Sequence, residues 1–377
     1  FDKKNAEKLF GKNLNISASQ LEKFNLCRFS YFCNYGLNVR ERQKAEINSM
    51  QYGTIVHYIL ERFFGEYTKE EYLSLEEDKF QKIVCAYLAE YAVKYFGEEQ
   101  LESNSFTYRL KTILDNVMYL MKHIMEELSQ SEFFVADCEL KIGVDIPSYT
   151  IVLPDGHKIA VCGSVDRVDI MQRADVTYLR IIDYKTGKKQ FKLSDILYGI
   201  NLQMLLYLHS IEASGGDKYG EIVPAGILYM PATVPYISSD SLKSIDKLPD
   251  ELNKELKMNG LLLKDTEIIH GMDKTDVATY IPVKIKAGEP VSSTSLATLA
   301  EFGKIFKKVD MLIAEMGKNI YNGNIEAKPL KGGHDSCKHC PYDSVCAYRQ
   351  SNPITCFSVD NKTVIEEITN EINGKEE

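Results

Sequence analysis

The chain has 377 residues, 44% apolar and 26% charged, a balance that supports a packed core and excludes an intrinsically disordered polypeptide. Its formal net charge of −9 argues against indiscriminate coating of nucleic acid but leaves room for a local basic groove. No run comes near the ~18 apolar residues of a spanning helix, so no membrane association through such a helix is expected. Phe1-Asp2-Lys3-Lys4 opens the chain with neither an apolar signal core nor an initiator Met, as an excised or processed piece would.

Ser19-Gln20-Leu21-Glu22 carries the Ser-x-x-Glu pattern of a capping box and predicts a first helix running toward Cys27. Thr54 to Phe64 reads as a second helix, with Ile55, Ile59 and Phe63 on one face and His57 and Glu61 on another. Phe106 to Leu128 is a third, its apolar residues at helical spacing from Leu110 through Val117 and Ile124. The pattern changes near Phe133. Val135 to Ile142 alternates, and Pro154-Asp155-Gly156 marks a turn between extended runs. Lys158 to Ile170 and Thr177 to Tyr184 read as a strand pair joined by a polar loop around Arg173 and Asp175. A helix is expected from Asp195 to Ala213, a buried strand from Ala225 to Met230, and a long amphipathic helix from Thr294 to Ile320. After Thr363 the chain reads as an acidic, frayed tail.

The order helix, strands, helix, strand defines an α/β core with a mixed central sheet flanked by helices. The expected division is a helical lobe over 1–130, the α/β core over 131–235 and an insertion rich in Lys, Asp and Ser over 236–292. A long helix and a cysteine block would occupy 293–350 and close onto the first lobe, with a tail over 351–377. There is no Gly-x4-Gly-Lys-Ser/Thr phosphate loop, so ATP hydrolysis by this chain is not expected.

The chemistry concentrates on two strands, Gly163-Ser164-Val165-Asp166-Arg167-Val168-Asp169 and Ile181-Ile182-Asp183-Tyr184-Lys185. Side chains alternate faces along a strand, so Asp183 and Lys185 point the same way. If the strands pair, Asp166 can stand beside Asp183, and a hard divalent cation relieves the repulsion between two such carboxylates. Lys185 would then lie where it can orient water or stabilise charge on a phosphate. Alone, Asp-x-Lys would more commonly be a solvated ion pair. The preceding acid-bearing strand, the apolar runs before each acid and the following helix favour the metal site. Gln203 and Tyr207, one helical turn apart, can share a face.

Nine cysteines without a secretion signal point to a reducing cytoplasm. Cys337, Cys340 and Cys346 form a three-ligand set for zinc or an iron–sulfur cluster, for which His334, His339, Cys356 and Cys27 are candidate fourth ligands. Lys188, Lys189 and Lys192 follow the Asp183 strand and could neutralise a nucleic-acid backbone without reading sequence.

Taken in order, the His57 helix, the Gly-x-Val-Asp-Arg-Val-Asp strand, the Asp-Tyr-Lys strand and the Gln-x3-Tyr helix resemble the RecB-like branch of the PD-(D/E)XK nuclease superfamily, over roughly Leu14 to Arg349. The resemblance implies that His57, Asp166, Asp183 and the Tyr184 backbone carbonyl hold a catalytic Mg²⁺, with Mn²⁺ as a substitute. Lys185 would be the catalytic lysine, and Gln203 and Tyr207 would complete the site. Glu61 and Glu139 are possible supporting acids, and Arg167 and Asp169 are expected to form structural salt bridges.

The resemblance also chooses Cys27, not the nearby Cys33, to join Cys337, Cys340 and Cys346 around a structural [4Fe–4S] staple. Closing so long a loop costs about 5 kcal/mol of chain entropy. A metal–thiolate site worth roughly 10–16 kcal/mol in small peptides offsets that cost. The implied activity is exonucleolytic hydrolysis of DNA ends, one strand threading through the site, in double-strand-break repair beside an AddA-type helicase–nuclease subunit. The alternatives are a stand-alone exonuclease related to the CRISPR-associated enzymes, and an inactive scaffold that binds DNA ends. The intact Asp166, Asp183 and Lys185 speak against the scaffold.

Overall fold

The alternating residues after Phe133 build the central sheet of the computed structural model, which describes residues 2–40, 49–187, 189–235, 248–292, 294–346, 348 and 353–376. Its six strands are β1 (Phe134–Ile142), β2 (Gly163–Arg173), β3 (Val176–Lys185), β4 (Glu221–Pro231), β5 (Asn259–Leu263) and β6 (Leu296–Ala297), in the spatial order β6-β5-β4-β3-β2-β1. β1, β2 and β3 form an antiparallel meander, and β4 lies parallel to β3. A parallel neighbour needs a crossover. Here the crossover contains a helix, Gln203–Ser214, whose apolar surface packs on β3 and β4. The sheet is therefore mixed, as expected.

Seven longer helices surround it: α1 (Ala18–Leu26), α2 (Ser49–Glu66), α3 (Glu77–Phe96), α4 (Asn104–Ser129), α5 (Gln203–Ser214), α6 (Leu299–Tyr321) and α7 (Asn361–Glu376). α2 packs on β1 and β3 with α3 and α4 against it, while α6 packs on α5 and α1. Ile59 and Phe63 of α2, Val117 and Ile124 of α4, Ile181 of β3, Leu206 of α5 and Phe302 of α6 belong to one continuous buried core.

Several local expectations change. Ser17, not Ser19, caps α1 by accepting from the Gln20 N–H, because Ser19 already lies inside the helix. The run Lys158 to Ile170 is two strands, not one. Lys158–Val161 pairs with Asn13–Ile16 and Thr150–Val152 in a separate three-stranded sheet, and the chain changes sheets at Cys162. The helix expected over Asp195 to Ala213 is broken. A 3₁₀ turn at Leu193–Tyr198 ends at Gly199 (φ +68°), and Asn201 (φ +53°) takes a second left-handed conformation before α5 begins. A side chain at Gly199 would place its Cβ 2.2 Å from Asn25 Nδ2, so close approach as well as dihedral angle requires glycine there.

Within the stretch expected as an insertion, Asn259–Leu263 supplies strand β5 of the central sheet, and 236–247 lie outside the described residues. The long amphipathic helix starts later than Thr294, at a Thr298–Glu301 capping box, because Leu296 and Ala297 pair with β5. The acidic tail is not frayed. It forms α7, whose Val364, Ile368 and Ile372 are buried against the rest of the core. Among the described residues, no helix is long and apolar enough to cross a membrane.

Arg167 and Asp169 do form structural salt bridges, within a larger buried quartet. Arg167 donates to Asp169 (2.6 Å) and Glu127 (3.0 Å), and Arg180 donates to Asp169 (3.0 Å) and Glu127 (2.5 Å). The two cations and two anions alternate and are shut off from solvent, linking α4, β2 and β3. A buried charge is tolerated only when it is paired. Arg180→Met removes one cation from between two carboxylates and is expected to destabilise the fold by about 3–5 kcal/mol, read as a lowered urea midpoint. An unchanged midpoint would show that the quartet does not hold the strands together.

Candidate active site

The β2/β3 ladder ends with the pair Arg167↔Ile182, which leaves Asp166 and Asp183 side by side at its open edge. Asp166 Oδ2 accepts from the Tyr184 N–H at 2.9 Å. Along β1 the pairs Cys138↔Arg167 and Leu140↔Val165 bring Glu139 opposite Asp166. Glu139 adopts φ +51°. That conformation costs a residue with a side chain roughly 1–2 kcal/mol. Its carboxylate accepts from Ser164 Oγ (2.8 Å) and meets His57 Nδ1 (2.8 Å). His57 stands on α2, and its Nε2 lies 3.6 Å from Asp166 Oδ2, beyond a good hydrogen bond. With Nδ1–H directed at Glu139, the Nε2 lone pair is the one left to face a cation. One potential ligand atom each from His57, Glu139 and Asp166 lies within 4.8 Å of the others.

Asp183 is 2% exposed. Its Oδ1 accepts from Gln203 Nε2 at 3.1 Å, while Oδ2 is ion-paired with Lys185 Nζ. No hydrogen bond is directed at that buried Oδ2. Tyr184 points the other way, its hydroxyl 3.4 Å from Arg167 Nη1, so the strand alternation places Asp183 and Lys185 on one face. Burial, then the neighbouring Asp183 charge, push the Asp166 carboxyl up to about 7 against the opposing effects of His57 and the Tyr184 N–H. Burial works against protonating His57, but the Glu139 hydrogen bond and the charges of Asp166, Glu139 and Asp183 outweigh it and raise the imidazole. Two buried acids at such spacing repel each other, and a bound cation would relieve that repulsion.

The N-terminal helix fixes the helix behind these acids. Glu22 of α1 does not complete its own capping box. Its Oε1 accepts from Leu202 N (2.8 Å) and Gln203 N (3.3 Å), the open amides at the start of α5. Tyr207, one turn further, packs on the motif glycine of β2: a Cβ on Gly163 would lie 2.2 Å from its Oη. The backbone of Ala18 hydrogen-bonds the same hydroxyl, although burial outweighs this and raises the phenol to about 12. Gln203 therefore touches the acid pair, whereas Tyr207 joins α1, β2 and α5. Glu22 and Ser164 were not recognisable from local spacing, because their partners are distant in the chain or on the neighbouring strand.

A cleft of about 820 Å³ opens over the site, lined in part by His57, Glu139, Lys185 and Lys189. Lys189 Nζ lies 4.9 Å from the Tyr229 ring centre, and burial lowers its pKa. Lys192 is exposed just before the 3₁₀ turn and does not line the cleft. Lys188 lies outside the described residues.

The cysteine block returns to α1. Tyr342 Oη donates to Val39 O (2.7 Å), and the ring of Tyr342 lies 5.9 Å from Lys23 Nζ. Burial raises the Cys27 thiol, and the charges of Cys346 and Cys340 add to the rise. Cys33 feels Cys340, Cys346 and Cys27 in the same way. Cys337 and Cys340 share a tight turn through a 3.2 Å backbone bond, but the Cys337 thiol interacts with Lys331. The structure thus brings Cys27, Cys340 and Cys346 within electrostatic reach of one another, with Cys33 beside them and Cys337 on the adjoining turn.

Residues 15–347 match the PD-(D/E)XK nuclease superfamily. The chain belongs to that superfamily, the one its motif order resembles, and carries its nuclease domain. The curated relatives are more specific: the AddB subunit of the ATP-dependent helicase/deoxyribonuclease from Thermoanaerobacter sp. (strain X514) is 34% identical over 354 residues, 91% of this chain and 30% of the relative. The same subunit from Alkaliphilus oremlandii is 33% identical over 383 residues, 97% of this chain and 33% of the relative. That from Clostridium kluyveri is 34% identical over 385 residues, 98% of this chain and 33% of the relative. The chain spans about a third of the length of these relatives.

Gly163→Ala is expected to cost about 1–3 kcal/mol through its clash with Tyr207, and the cost should shrink in a Tyr207→Ala background. A double-mutant cycle of urea midpoints checks this; additive losses would show that the pair does not set the glycine.

Proposed function

We propose that this domain is a divalent-cation-dependent deoxyribonuclease that hydrolyses phosphodiester bonds at DNA ends. In this reading it works in double-strand-break repair, in the cytoplasm, as the nuclease of an AddAB-type complex. The AddA-type partner and the helicase motor would feed one strand through the cleft. The names of the relatives support the assembly, and the convergence of Asp166, Asp183 and His57 beside Lys185 carries the chemistry.

The donor set fits Mg²⁺ or Mn²⁺. Two buried carboxylates converge, one oxygen of Asp183 has no hydrogen bond directed at it, and the Asp166 carboxyl is raised to about 7. His57, Asp166, Asp183 and the Tyr184 carbonyl would hold the ion. When bound, it would supply Lewis acidity, generating hydroxide near neutral pH and stabilising negative charge on phosphate. Glu139 holds His57 in the orientation that aims Nε2 toward Asp166, and Gln203 holds Asp183. Lys185 places a cation beside the acid pair to orient water and neutralise the phosphate as water oxygen bonds to phosphorus and the ester P–O bond breaks. Lys189 would contact the DNA backbone, with Lys188 and Lys192 in the same role along the approach. Tyr207 supports the site by anchoring α5.

Cys27, Cys337, Cys340 and Cys346 would bind a [4Fe–4S] cluster that pins the cysteine block to the N-terminal lobe. The electrostatic proximity of Cys27, Cys340 and Cys346 and the tight Cys337–Cys340 turn support this set.

With anaerobically purified protein, end-labelled linear DNA and Mg²⁺, cleavage is expected. Asp183→Ala should abolish it, Lys185→Met should slow it by roughly 10²–10⁴-fold, and Gln203→Ala should weaken metal affinity about 10–100-fold. Undiminished cleavage by Asp183→Ala would overturn the site. Mn²⁺ affinity, measured by calorimetry, should fall by about tenfold per pH unit below 7, because Asp166 must lose its proton to bind. A flat profile from pH 5 to 8 would remove Asp166 from the ligand set. Serine at Cys27, Cys337, Cys340 or Cys346 should eliminate the brown iron–sulfur absorbance, whereas Cys33→Ser should keep it. Loss of colour in Cys33→Ser alone would exchange the ligand.

A further inference from the structure

The cleft has a second wall that the hydrolytic chemistry does not use. Tyr58 on α2 and Tyr91 and Tyr95 on α3 line the same opening as His57 and Lys185. Their rings form a continuous series: Tyr58 and Tyr91 meet edge to face at 5.1 Å, and Tyr91 and Tyr95 lie 4.4 Å apart at 35°. The inner end is tied down. Tyr58 Oη donates to Glu90 Oε1 (2.8 Å), and Arg62 donates to both partners. Tyr91 is 5% exposed, whereas Tyr95 is 55% exposed. A large aromatic ring held open to solvent at the mouth of a polar cleft loses the contacts a core position would provide.

Cations stand on the phosphate side of the same cleft. Lys141, Lys185 and Lys189 line it together with the tyrosines. Tyrosine faces accept any base by stacking, and lysines accept the backbone, so together they suit an unpaired strand rather than a duplex whose bases are already stacked. Lys94 Nζ lies 5.0 Å from the Tyr95 ring centre, a solvent-weakened contact that a base can replace.

We propose that Tyr95, backed by Tyr91 and Tyr58, is a stacking subsite for unpaired nucleobases next to the phosphate being cut. This rests on the nuclease reading for its substrate and adds the choice of single strands irrespective of sequence. Tyr95 is here a positioning residue: it holds the strand by a base and touches none of the reacting atoms.

The test compares a single-stranded oligonucleotide with the same oligonucleotide carrying a run of abasic sites. Binding is read by fluorescence anisotropy in Ca²⁺, and cleavage by KM and kcat in Mg²⁺. Wild type should bind the abasic strand roughly five- to a hundredfold more weakly, the range of one stacked base. Tyr95→Ala should weaken the intact strand to the abasic value, and Tyr95→Phe should restore the preference. The KM for the intact strand should rise in Tyr95→Ala far more than kcat falls.

Equal binding of both strands by wild type, or a preference that survives Tyr95→Ala, overturns the subsite. If both strands are cut with equal KM, the stacking proposal falls while the nuclease reading stands. If neither is cut but the base preference appears and disappears with Tyr95, the subsite stands and the nuclease reading falls. Failure to bind either strand sinks both.

Discussion

Asp166 and Asp183 lie side by side because the ladder joining their strands ends at Arg167 and Ile182. Once β2 and β3 pair, two carboxylates are forced together in a place where water cannot separate their charges. Much of the surrounding structure answers that repulsion. His57 and the Tyr184 N–H face Asp166, while Gln203 and Lys185 face Asp183. Glu139 adds a third acid and is held in a left-handed backbone conformation to reach His57. The side chains on the other face of the same strands solve their electrostatics differently. There Arg167 and Arg180 neutralise Asp169 and Glu127 in full, so one face of the meander is closed and balanced while the other retains an excess of negative charge.

The precision of the open face depends on distant segments. Gln203 is useful only if α5 begins where it does, and that start is held by Glu22 and by the left-handed turns at Gly199 and Asn201. Gly199 in turn packs against Asn25, whose side-chain amide donates to its carbonyl at 3.0 Å. Tyr207 binds the other side of α1 to the glycine that opens β2. A short N-terminal helix thus sets the geometry of residues far downstream, and the cysteine block rests against its far end.

The sheet strands and their acids were legible because period-two alternation and burial reinforce each other in β1, β2 and β3. His57 and Gln203 could be placed on helices by spacing, but their partners could not. Glu22 has the local grammar of a capping box and spends its carboxylate on α5 instead, which no window of neighbouring residues can reveal. The helix expected through Asp195 and Ala213 kept its apolar rhythm across Gly199 and Asn201, so periodicity concealed the break. In α7 only Val364, Ile368 and Ile372 are apolar on the buried stripe, and the surrounding acids made it resemble a solvated tail. Arg180 carried no local sign of burial. Its role exists only where α4 and β2 meet β3.

The bond from Tyr342 Oη to Val39 O spans 303 residues of sequence. At a synthesis rate of roughly 5–20 residues per second, the two ends of that bond leave the ribosome about 15–60 s apart. Throughout that interval α1 is already available to cap α5, yet the surface that receives the cysteine block has nothing to cover it. Closure across such a separation comes late. The nascent chain therefore passes through a stage in which its acid pair is assembled but the early helix is secured on one side alone, giving newly made molecules a delay between forming the site and locking it.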